Sequence, residues 1–285
     1  MDSNISKFIF TVFGESFRLM NPVLTNYSEF SKILSKKIQT RKGGNIQYSF
    51  DVELDKIFRK NIDGFGISGR IFSEESGFYE FGSKKYRAVY DPFCNSSLAS
   101  KTFLEAAAGI SIFGYDYRFL TSAILDYQTG IVAVVEDGKT NFYQIQTKEK
   151  IEFNNPQKKS LENSLVIITL ENQEERKYIV KAKQILEASG RILISSGHIY
   201  WLRLAAGLID GYLDPFGGEK LYEMFACTLA QKAGCTVTNL KGEEFDSEQY
   251  LKIFEGDPDF IYYPLAARNK RLHALLLGSL KSPKT

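Results

Sequence analysis

The chain has 285 residues, of which 44% are hydrophobic and 25% are charged, and its net charge is +2. This is the composition of a soluble globular protein that is long enough to bury a sizeable core. The near balance of 36 basic and 34 acidic residues gives no reason to expect a nucleic-acid or membrane partner. Only two histidines are present, which nearly excludes a multi-histidine zinc site.

The cysteines and the N-terminal segment bear on where the protein works. Cys94, Cys227 and Cys235 show no CxxC spacing. Their odd number, without a secretion signal, predicts reduced thiols and a cytoplasmic protein. The apolar run "FIFTVF" is too short to span a bilayer, and it predicts an amphipathic helix that packs on the body of the protein.

Helices precede strands in the first half of the chain. Two helices are predicted over 3–20 and 26–40, because the proline of "NPVLTN" should break the helical pattern, and a third begins near Asp51. The strands "GRIFSEES" and "KYRAVYD", the second ending at Asp91, precede a short helix near 98–106. Gly and Asp then separate four strands of a predicted antiparallel meander, namely "GISIFGYD", "FLTSAILDYQ", "IVAVVEDG" and "TNFYQIQT".

Strands and helices alternate in the second half, which is typical of an α/β domain. The polar segment 151–163 is the predicted junction, and it divides the chain into an N-terminal domain, 1–155, and a C-terminal α/β domain, 156–285. The predicted strands are "SLVIITL", "RILISS", "IDGYLD", "CTVTNL" and "DFIYYPLA". The predicted helices are "EERKYIVKAKQILEAS", "HIYWLRLAAG", "EKLYEMFACTLAQKAG", a segment near 247–254, and "NKRLHALLLGSL".

Three acids stand at the ends of predicted elements. Asp51 begins a helix, and Glu74 and Asp91 each follow a strand. Mg²⁺ takes carboxylate and carbonyl oxygens as ligands, and such ligands converge where loops leave a rigid scaffold. An acid at a strand end is also a common turn or cap residue, so these acids alone do not define a metal site.

Several motifs follow one another in a characteristic order: "SFDVELDKI", "SEESG", "DPFCNS", "LAAGLIDGYLDP", "LYEMFACTLAQKAGCTVTNLKGEEFD" and "AARNKRLHALLL". This order resembles the inositol monophosphatase-like superfamily of Mg²⁺-dependent, lithium-sensitive sugar-phosphate and nucleotide phosphatases. That family shows an EE turn, a D-P-[IL]-D-G-[TS] turn, a W-D helix start and an "EAGG.VTD..G..F" tail. The resemblance spans nearly the whole chain, and the tail is its most specific part.

The resemblance implies a fold and an assembly. The fold is a layered αβαβα sandwich, of mixed α+β and α/β character, with an antiparallel-sheet domain, a C-terminal α/β domain and the active site between them. Because dimers are common in the family, a homodimer is the assembly it suggests. The ligand it implies is a small phosphorylated molecule.

The resemblance also carries over a first metal site and a catalytic pair. Glu74, Asp91 and the carbonyl of Phe93 match the ligands of one Mg²⁺. Asp51 and the hydroxyl of Ser96 match the pair that orients the attacking water.

The second metal site of the family is degenerate in this chain. Its two further carboxylates fall on Cys94 and, by alignment from the tail, on Tyr222. Two unit charges about 4 Å apart exchange roughly 4 kcal/mol at an effective dielectric near 20, so their loss should weaken a second ion severely. A soft thiolate is a poor ligand for Mg²⁺. The local alignment can slip by one residue, which would bring Glu219 or Glu223 in as a replacement.

Phosphate and substrate binding are predicted at four further positions. The backbone N–H groups of Asn95 and Ser96 would open a helix, which is an anion site. The family has Gly at the position of Asn95, and Asn tolerates a left-handed backbone. Asp214 matches an acid that binds a substrate hydroxyl, and His198 lies in the position of a Gly-Ser-Ala substrate loop. The alternative for His198 is an exposed residue at a helix start.

Three functions fit these residues, and the sequence leaves open whether the protein is an enzyme. The first is a binding or regulatory protein on a phosphatase scaffold, with one divalent metal or none and impaired or absent phosphatase activity. The second is an active Mg²⁺-dependent phosphomonoesterase with altered metal ligation, acting on an inositol phosphate, a sugar phosphate or a 3′-phosphonucleotide. The third is a purely structural protein, which leaves the surviving acids unexplained.

Overall fold

A computed structural model describes residues 3–25, 37–40, 46–95, 105–154, 156, 160–169, 183–215 and 217–281 of the protein. The chain divides into two compact units. The first holds the described residues up to Asp137 together with Asn141–Ile151, and the second holds Gly138–Thr140 together with the described residues from Glu152 onward. Among the described residues, no helix combines the length and the apolar character needed to cross a bilayer.

An eight-stranded sheet forms the centre of the first unit. Its strands are β3 (Gly69–Ser73), β4 (Gly77–Phe81), β5 (Tyr86–Cys94), β6 (Ala107–Gly114), β7 (Phe119–Asp126), β8 (Ile131–Glu136), β9 (Lys139–Gln144) and β10 (Lys150–Ile151). The spatial order is β10-β9-β8-β7-β6-β5-β3-β4. Strands β6 to β9 follow one another as neighbours, as the predicted meander requires, and β3 pairs in parallel with β5.

Two helices and a small hairpin complete the described part of the first unit. They are α1 (Ser3–Thr25), β1 (Lys37–Thr40), β2 (Ile46–Tyr48) and α2 (Ser49–Gly64). The helix α1 is amphipathic as predicted, since Phe8, Val12 and Phe13 are fully buried in the core of this unit. The ring of Phe13 lies 6.1 Å from that of Phe58 of α2.

The first unit departs from the sequence prediction at its N-terminal end. The helix α1 continues through Pro22 to Thr25, because only its last turn follows the proline and the buried Val23 adds packing there. The prediction of a helix over 26–40 is wrong for 37–40, which pair as a strand with β2; residues 26–36 lie outside the described residues.

The strands next to the acids also depart from the prediction. Strand β5 does not end at Asp91 but continues through Pro92 to Cys94, and its register with β6 shifts between Asp91 and Cys94, an irregularity that accommodates a proline. Strand β4 was not predicted, because its short run of residues follows the predicted turn "SEES" directly and forms a strand only by pairing with β3. Most of the predicted helix near 98–106 lies outside the described residues, and 105 and 106 are irregular.

A mixed five-stranded sheet forms the centre of the second unit. Its strands are β11 (Leu165–Ile168), β12 (Arg191–Ile194), β13 (Gly211–Leu213), β15 (Thr236–Asn239) and β17 (Pro264–Ala267). The order is β12-β11-β13-β17-β15, parallel among the first three strands and antiparallel on both sides of β17. A separate pair joins β14 (Glu219–Lys220) to β16 (Ile261–Tyr262).

Short helices pack in the second unit. A single 3₁₀ turn, Leu161–Asn163, precedes α3 (Lys183–Ala188), α4 (His198–Ala205), α5 (Leu221–Met224), α6 (Cys227–Lys232), α7 (Ser247–Gly256) and α8 (Lys270–Lys281). The predicted helix over 174–189 is described only from Lys183, where it is helical. Apolar side chains of β11, β13, β17 and α8 form one core cluster in this unit.

The prediction of one helix over 219–234 is wrong. Residues Glu219 and Lys220 are a strand, and the remainder is divided into α5 and α6. The pairing of β14 with β16 draws residues from 261–262, a partner some 40 residues away that the local helical pattern does not contain. The predicted strand "DFIYYPLA" is likewise two short strands, β16 and β17.

Candidate functional site

Three elements of the first unit carry the predicted acids to one place. Asp51 lies in the first turn of α2, Glu74 follows β3 directly, and Asp91 lies within β5. Because β3 and β5 are parallel and Ser73 is paired with Tyr90, the residues that follow these two come side by side. The N–H of Glu74 donates to the carbonyl of Tyr90 over 3.0 Å, which holds the residue after β3 against β5.

Asp91 lies at the centre of the acid cluster. Its carboxyl is buried, and its Oδ1 accepts the N–H of Phe93 over 2.9 Å. Burial raises the pKa of Asp91 well above its ordinary value, and the nearby Glu74 and Asp51 carboxylates raise it further, while hydrogen bonds from Phe93 and Cys94 oppose the rise. The raised pKa indicates a group of acids whose negative charges repel one another in a place of low solvation.

Asp51 is held in a fixed orientation. It is 1% exposed, and its Oδ2 accepts the N–H of Tyr48 over 2.8 Å, so its side chain reaches back to cap α2. Glu74 is half-buried. The structure therefore brings Asp51 and Glu74 close to Asp91.

Cys94 lies against this cluster. Its side chain is buried, and a hydrogen bond from it lowers the pKa of Asp91. A cysteine sulfur, which is a weak donor and a weak acceptor, thus stands where the resemblance implies a carboxylate.

The turn after Asp91 is built from buried aromatic contacts. The Phe93 ring lies 4.5 Å from that of Phe50 and 5.3 Å from that of Tyr127. The Tyr127 hydroxyl donates to the carbonyl of Pro92 over 2.8 Å, and burial raises the pKa of Tyr127, which keeps this donor protonated. Because Pro92 and its neighbours are held in this way, the direction of the chain at Phe93 is set by packing.

Asn95 ends the described part of this turn. Its φ is 67°, the left-handed conformation that was expected for Asn in the place of the family's Gly, and its amide donates to the carbonyl of Glu105 over 3.2 Å. Ser96, the predicted catalytic hydroxyl and phosphate ligand, lies outside the described residues.

The predicted substrate residues belong to the second unit. His198 begins α4 and is 2% exposed, so the alternative of an exposed helix-start residue is wrong. Burial lowers the pKa of His198 to about 4, against a smaller opposing effect of the Glu223 main chain. Asp214 is buried, and its Oδ1 accepts the N–H of Gly217 over 3.1 Å. Tyr222 lies half-buried in α5.

The two glutamates considered as replacement ligands have different surroundings. Glu219 is buried in β14 and accepts a hydrogen bond from the Tyr212 hydroxyl, and the same hydroxyl lies 3.2 Å from that of Thr169. Glu223 is half-buried in α5. The partner of Glu219 within its own unit gives the carboxyl a structural role there.

Sequence reasoning missed Asp55, which lies one helical turn after Asp51. Its carboxyl is buried, accepts hydrogen bonds from the hydroxyls of Ser73, Ser76 and Tyr90, and forms an ion pair with Arg59. Asp55 lies four residues after Asp51 and four before Arg59, and residues four apart share a helix face. This spacing was the signal in the sequence that could have identified Asp55.

Comparison with solved structures identifies the fold. No protein-family model matches the sequence, and no curated protein matches it either. The extragenic suppressor protein suhB from Bartonella henselae is 14% identical with a TM-score of 0.78, covering 99% of this chain and 100% of the other. The Thermotoga maritima inositol monophosphatase is 14% identical with a TM-score of 0.72, covering 98% and 97%.

A third structure is an inositol monophosphatase/NADP phosphatase complexed with Mg²⁺ and phosphate; it is 13% identical with a TM-score of 0.67, covering 94% of this chain and 97% of the other. The chain therefore has the inositol monophosphatase fold, an α+β sandwich, which confirms the fold that the motif order predicted.

Proposed function

We propose that the protein binds a small phosphorylated molecule, of the sugar-phosphate type, together with one divalent cation, and that it hydrolyses phosphomonoesters weakly or not at all. The observation that carries this proposal is the state of Asp91. Its buried carboxyl lies with the carboxylates of Glu74 and Asp51, and the neighbouring Cys94 donates a hydrogen bond to it instead of adding an acid.

One hard cation fits the residues present. Glu74, Asp91 and the carbonyl of Phe93 would hold it, since carboxylate and carbonyl oxygens are the ligands that Mg²⁺ prefers. Burial and the Glu74 and Asp51 carboxylates raise the pKa of Asp91, and a positive charge at this place would stabilise the charged form of all three groups. When bound, such an ion supplies Lewis-acid polarisation of a phosphoryl oxygen.

A second cation does not fit as well. Cys94 offers a soft sulfur atom and Tyr222 a phenol, and neither is a ligand of choice for Mg²⁺. In two-metal hydrolysis both the attacking and the leaving oxygens are stabilised by metal ions. The loss of one ion therefore supports binding with little turnover.

The remaining residues would act on the ligand and on water. In the proposal, the backbone N–H groups of Asn95 and Ser96 bind the phosphate, and the resemblance carries over Asp214 and His198 as the residues for the rest of the ligand. Asp51 and Ser96 would orient a water molecule. A cytoplasmic homodimer remains part of the same proposal.

An active phosphomonoesterase is the second candidate. It is favoured by the joint survival of Asp51, Glu74 and Asp91, whose carboxylates lie close enough for Glu74 and Asp51 to raise the pKa of Asp91. Its substrate would be an inositol phosphate, a sugar phosphate or a 3′-phosphonucleotide.

Calorimetric titration with Mn²⁺ and Mg²⁺ tests the proposed cation. We expect one ion per chain, with binding at least about tenfold weaker in Asp91→Asn and Glu74→Gln, because each loses a charged ligand. Asp116→Asn is the matched control, since its carboxyl is exposed in a turn of the same unit. Inorganic phosphate is then titrated with and without Mn²⁺. Absence of ion uptake by the wild-type protein would refute the proposal.

Turnover separates the two candidates. A panel of inositol phosphates, sugar phosphates and 3′-phosphonucleotides is assayed with each ion, and we expect rates no higher than those of Asp91→Asn. Cys94→Asp restores one of the two missing carboxylates, so it should strengthen the binding of a second ion and raise turnover. Metal-dependent hydrolysis by the wild-type chain that disappears in Asp91→Asn would favour the enzyme instead.

A further inference from the structure

Asp55 is a buried carboxylate with four polar neighbours. Its Oδ1 accepts from the Ser73 hydroxyl over 2.5 Å and from the Tyr90 hydroxyl over 2.7 Å. Its Oδ2 accepts from the Ser76 hydroxyl over 3.2 Å and lies 3.1 Å from Nε of Arg59 in an ion pair. Three hydroxyl donors therefore orient the carboxylate, and Arg59 places a positive charge beside it.

The partners of Asp55 stand next to the predicted metal ligands in the chain. Ser73 directly precedes Glu74, Ser76 lies two residues after it, and Tyr90 directly precedes Asp91. The Ser73 hydroxyl also accepts the N–H of Glu75 over 3.1 Å. The turn that carries Glu74 is thus bound to Asp55 on both sides.

The same carboxyl joins three elements. Asp55 lies four residues after Asp51 on α2, and its hydrogen bonds reach the end of β3 and the middle of β5. The Tyr90 ring stacks on that of Phe58 with centroids 4.8 Å apart, so its hydroxyl is aimed by packing on the same helix. Movement of either strand end relative to α2 would break one of these bonds.

The charge of Asp55 is balanced locally. Arg59 lies four residues further along the helix, and its guanidinium lies 4.5 Å from the centroid of the Tyr79 ring. The partially buried ion pair and three hydroxyl donors account for the buried charge without a metal ion. Asp91 differs from Asp55, because burial and the nearby carboxylates of Glu74 and Asp51 raise its pKa.

We infer that Asp55 is the positioning residue of the acid cluster, which fixes Glu74 and Asp91 relative to Asp51. Its relevance to cation binding rests on the function proposed above, but the positioning itself is a property of the folded chain. Asp55 acts through the Glu74 turn and through Tyr90, and it does not contact the cation or the ligand.

Amide hydrogen exchange tests the positioning without any metal. The N–H groups of Glu74 and Glu75 are bonded to the Tyr90 carbonyl and the Ser73 hydroxyl. We expect Asp55→Asn and Tyr90→Phe to speed exchange at these two amides at least about fivefold relative to the Ile145 amide, which is bonded to Gly130 in the same unit. Tyr90→Phe keeps the ring and changes no charge.

The matched control is Asp126→Asn. Asp126 is also buried in the first unit, and it accepts from the N–H groups of Gln128 and Thr129 and from the Thr129 hydroxyl. It should destabilise the unit without selective exchange at Glu74 and Glu75. If Asp55→Asn does not fold, Tyr90→Phe and the exposed Ser76→Ala carry the test.

Mn²⁺ titration of the same variants links positioning to binding. Asp55→Asn and Tyr90→Phe should raise the Mn²⁺ dissociation constant about three- to tenfold, and Asp126→Asn should leave it unchanged. Unchanged relative exchange at Glu74 and Glu75, or an equal effect of Asp126→Asn, would overturn the inference. Failure of the wild-type chain to take up Mn²⁺ would remove the proposed function, while the exchange result would still decide the role of Asp55.

Discussion

Single residues in the DPFCNS turn determine what the acid cluster can do. The Cys94 side chain makes a hydrogen bond to Asp91 where the resemblance implies a further metal-binding carboxylate, so one side chain changes the ligand set. Asn95 adopts a φ of 67°, which an L-residue with a branched or long side chain adopts only at a cost. The turn has therefore changed in chemistry while its backbone conformation at Asn95 is one that glycine adopts readily.

Asn95 provides a test at the residue scale. Asn95→Ala should lower the free energy of unfolding by about 1–2 kcal/mol. Alanine has no polar side chain to form a local hydrogen bond in the left-handed conformation, and the hydrogen bond to the Glu105 carbonyl is lost. Asn95→Gly should cost less than about 1 kcal/mol, since glycine adopts this φ freely. Urea unfolding of both variants is the measurement. Equal stability of the two would contradict a backbone role for this position.

At the scale of elements, the acid cluster is a consequence of one parallel strand pair and one helix. The register Ser73 to Tyr90 places Glu74 beside Asp91, and Asp55 binds the ends of this pair to α2. Strand β3 begins at Gly69, whose φ is 147°. A Cβ there would lie 1.8 Å from the carbonyl oxygen of Tyr86, the residue opposite it in β5.

Gly69→Ala should therefore disrupt the pairing of β3 with β5. We expect a loss of about 3 kcal/mol or more in the free energy of unfolding, since the clash is with main-chain atoms and the φ is strained as well. Gly64→Ala in α2 is the matched control, because a Cβ there meets nothing within 4 Å, and it should be neutral or slightly stabilising. Chemical denaturation measures both. Similar stabilities for the two variants would show that the close approach at Gly69 is absent.

At the scale of the whole molecule, the chain divides into two units, and each contains a hydrophobic cluster of its own. Glu74, Asp91 and Phe93 all belong to the first unit. A ligand that binds only the native state stabilises it by mass action, by about 2.7 kcal/mol at one hundred times its dissociation constant. A cation bound by these residues should therefore act on the unfolding of the first unit.

Scanning calorimetry with and without Mn²⁺ tests this expectation. Saturating Mn²⁺ should raise the unfolding temperature of the wild-type protein, and if two transitions are resolved, it should shift the one assigned to the first unit. Chelation should reverse the shift. Asp91→Asn should show a smaller shift at the same Mn²⁺ concentration, because the proposed site loses a charged ligand. An equal shift in Asp91→Asn would indicate non-specific stabilisation.

The sequence alone predicted the fold correctly, for a physical reason. Apolar periodicity and turn residues are local features of the sequence. The meander, α2, β3 and most elements of the second unit could therefore be predicted from the residues within them. The order of the motifs predicted the fold. The cysteine at position 94, where the family motif has an acid, was also found from the sequence, by comparison with that motif.

Only the tertiary structure decided the features that depend on distant partners. Residues 37–40 are a strand because they pair with β2, and 219–220 are a strand because they pair with β16, although both segments carry helical patterns. The burial of His198, the bond between Tyr212 and Glu219, and the three hydroxyl donors around Asp55 depend on residues separated in the chain. Such contacts form by packing and strand pairing between distant parts of the chain, so the local spacing of residues does not predict them.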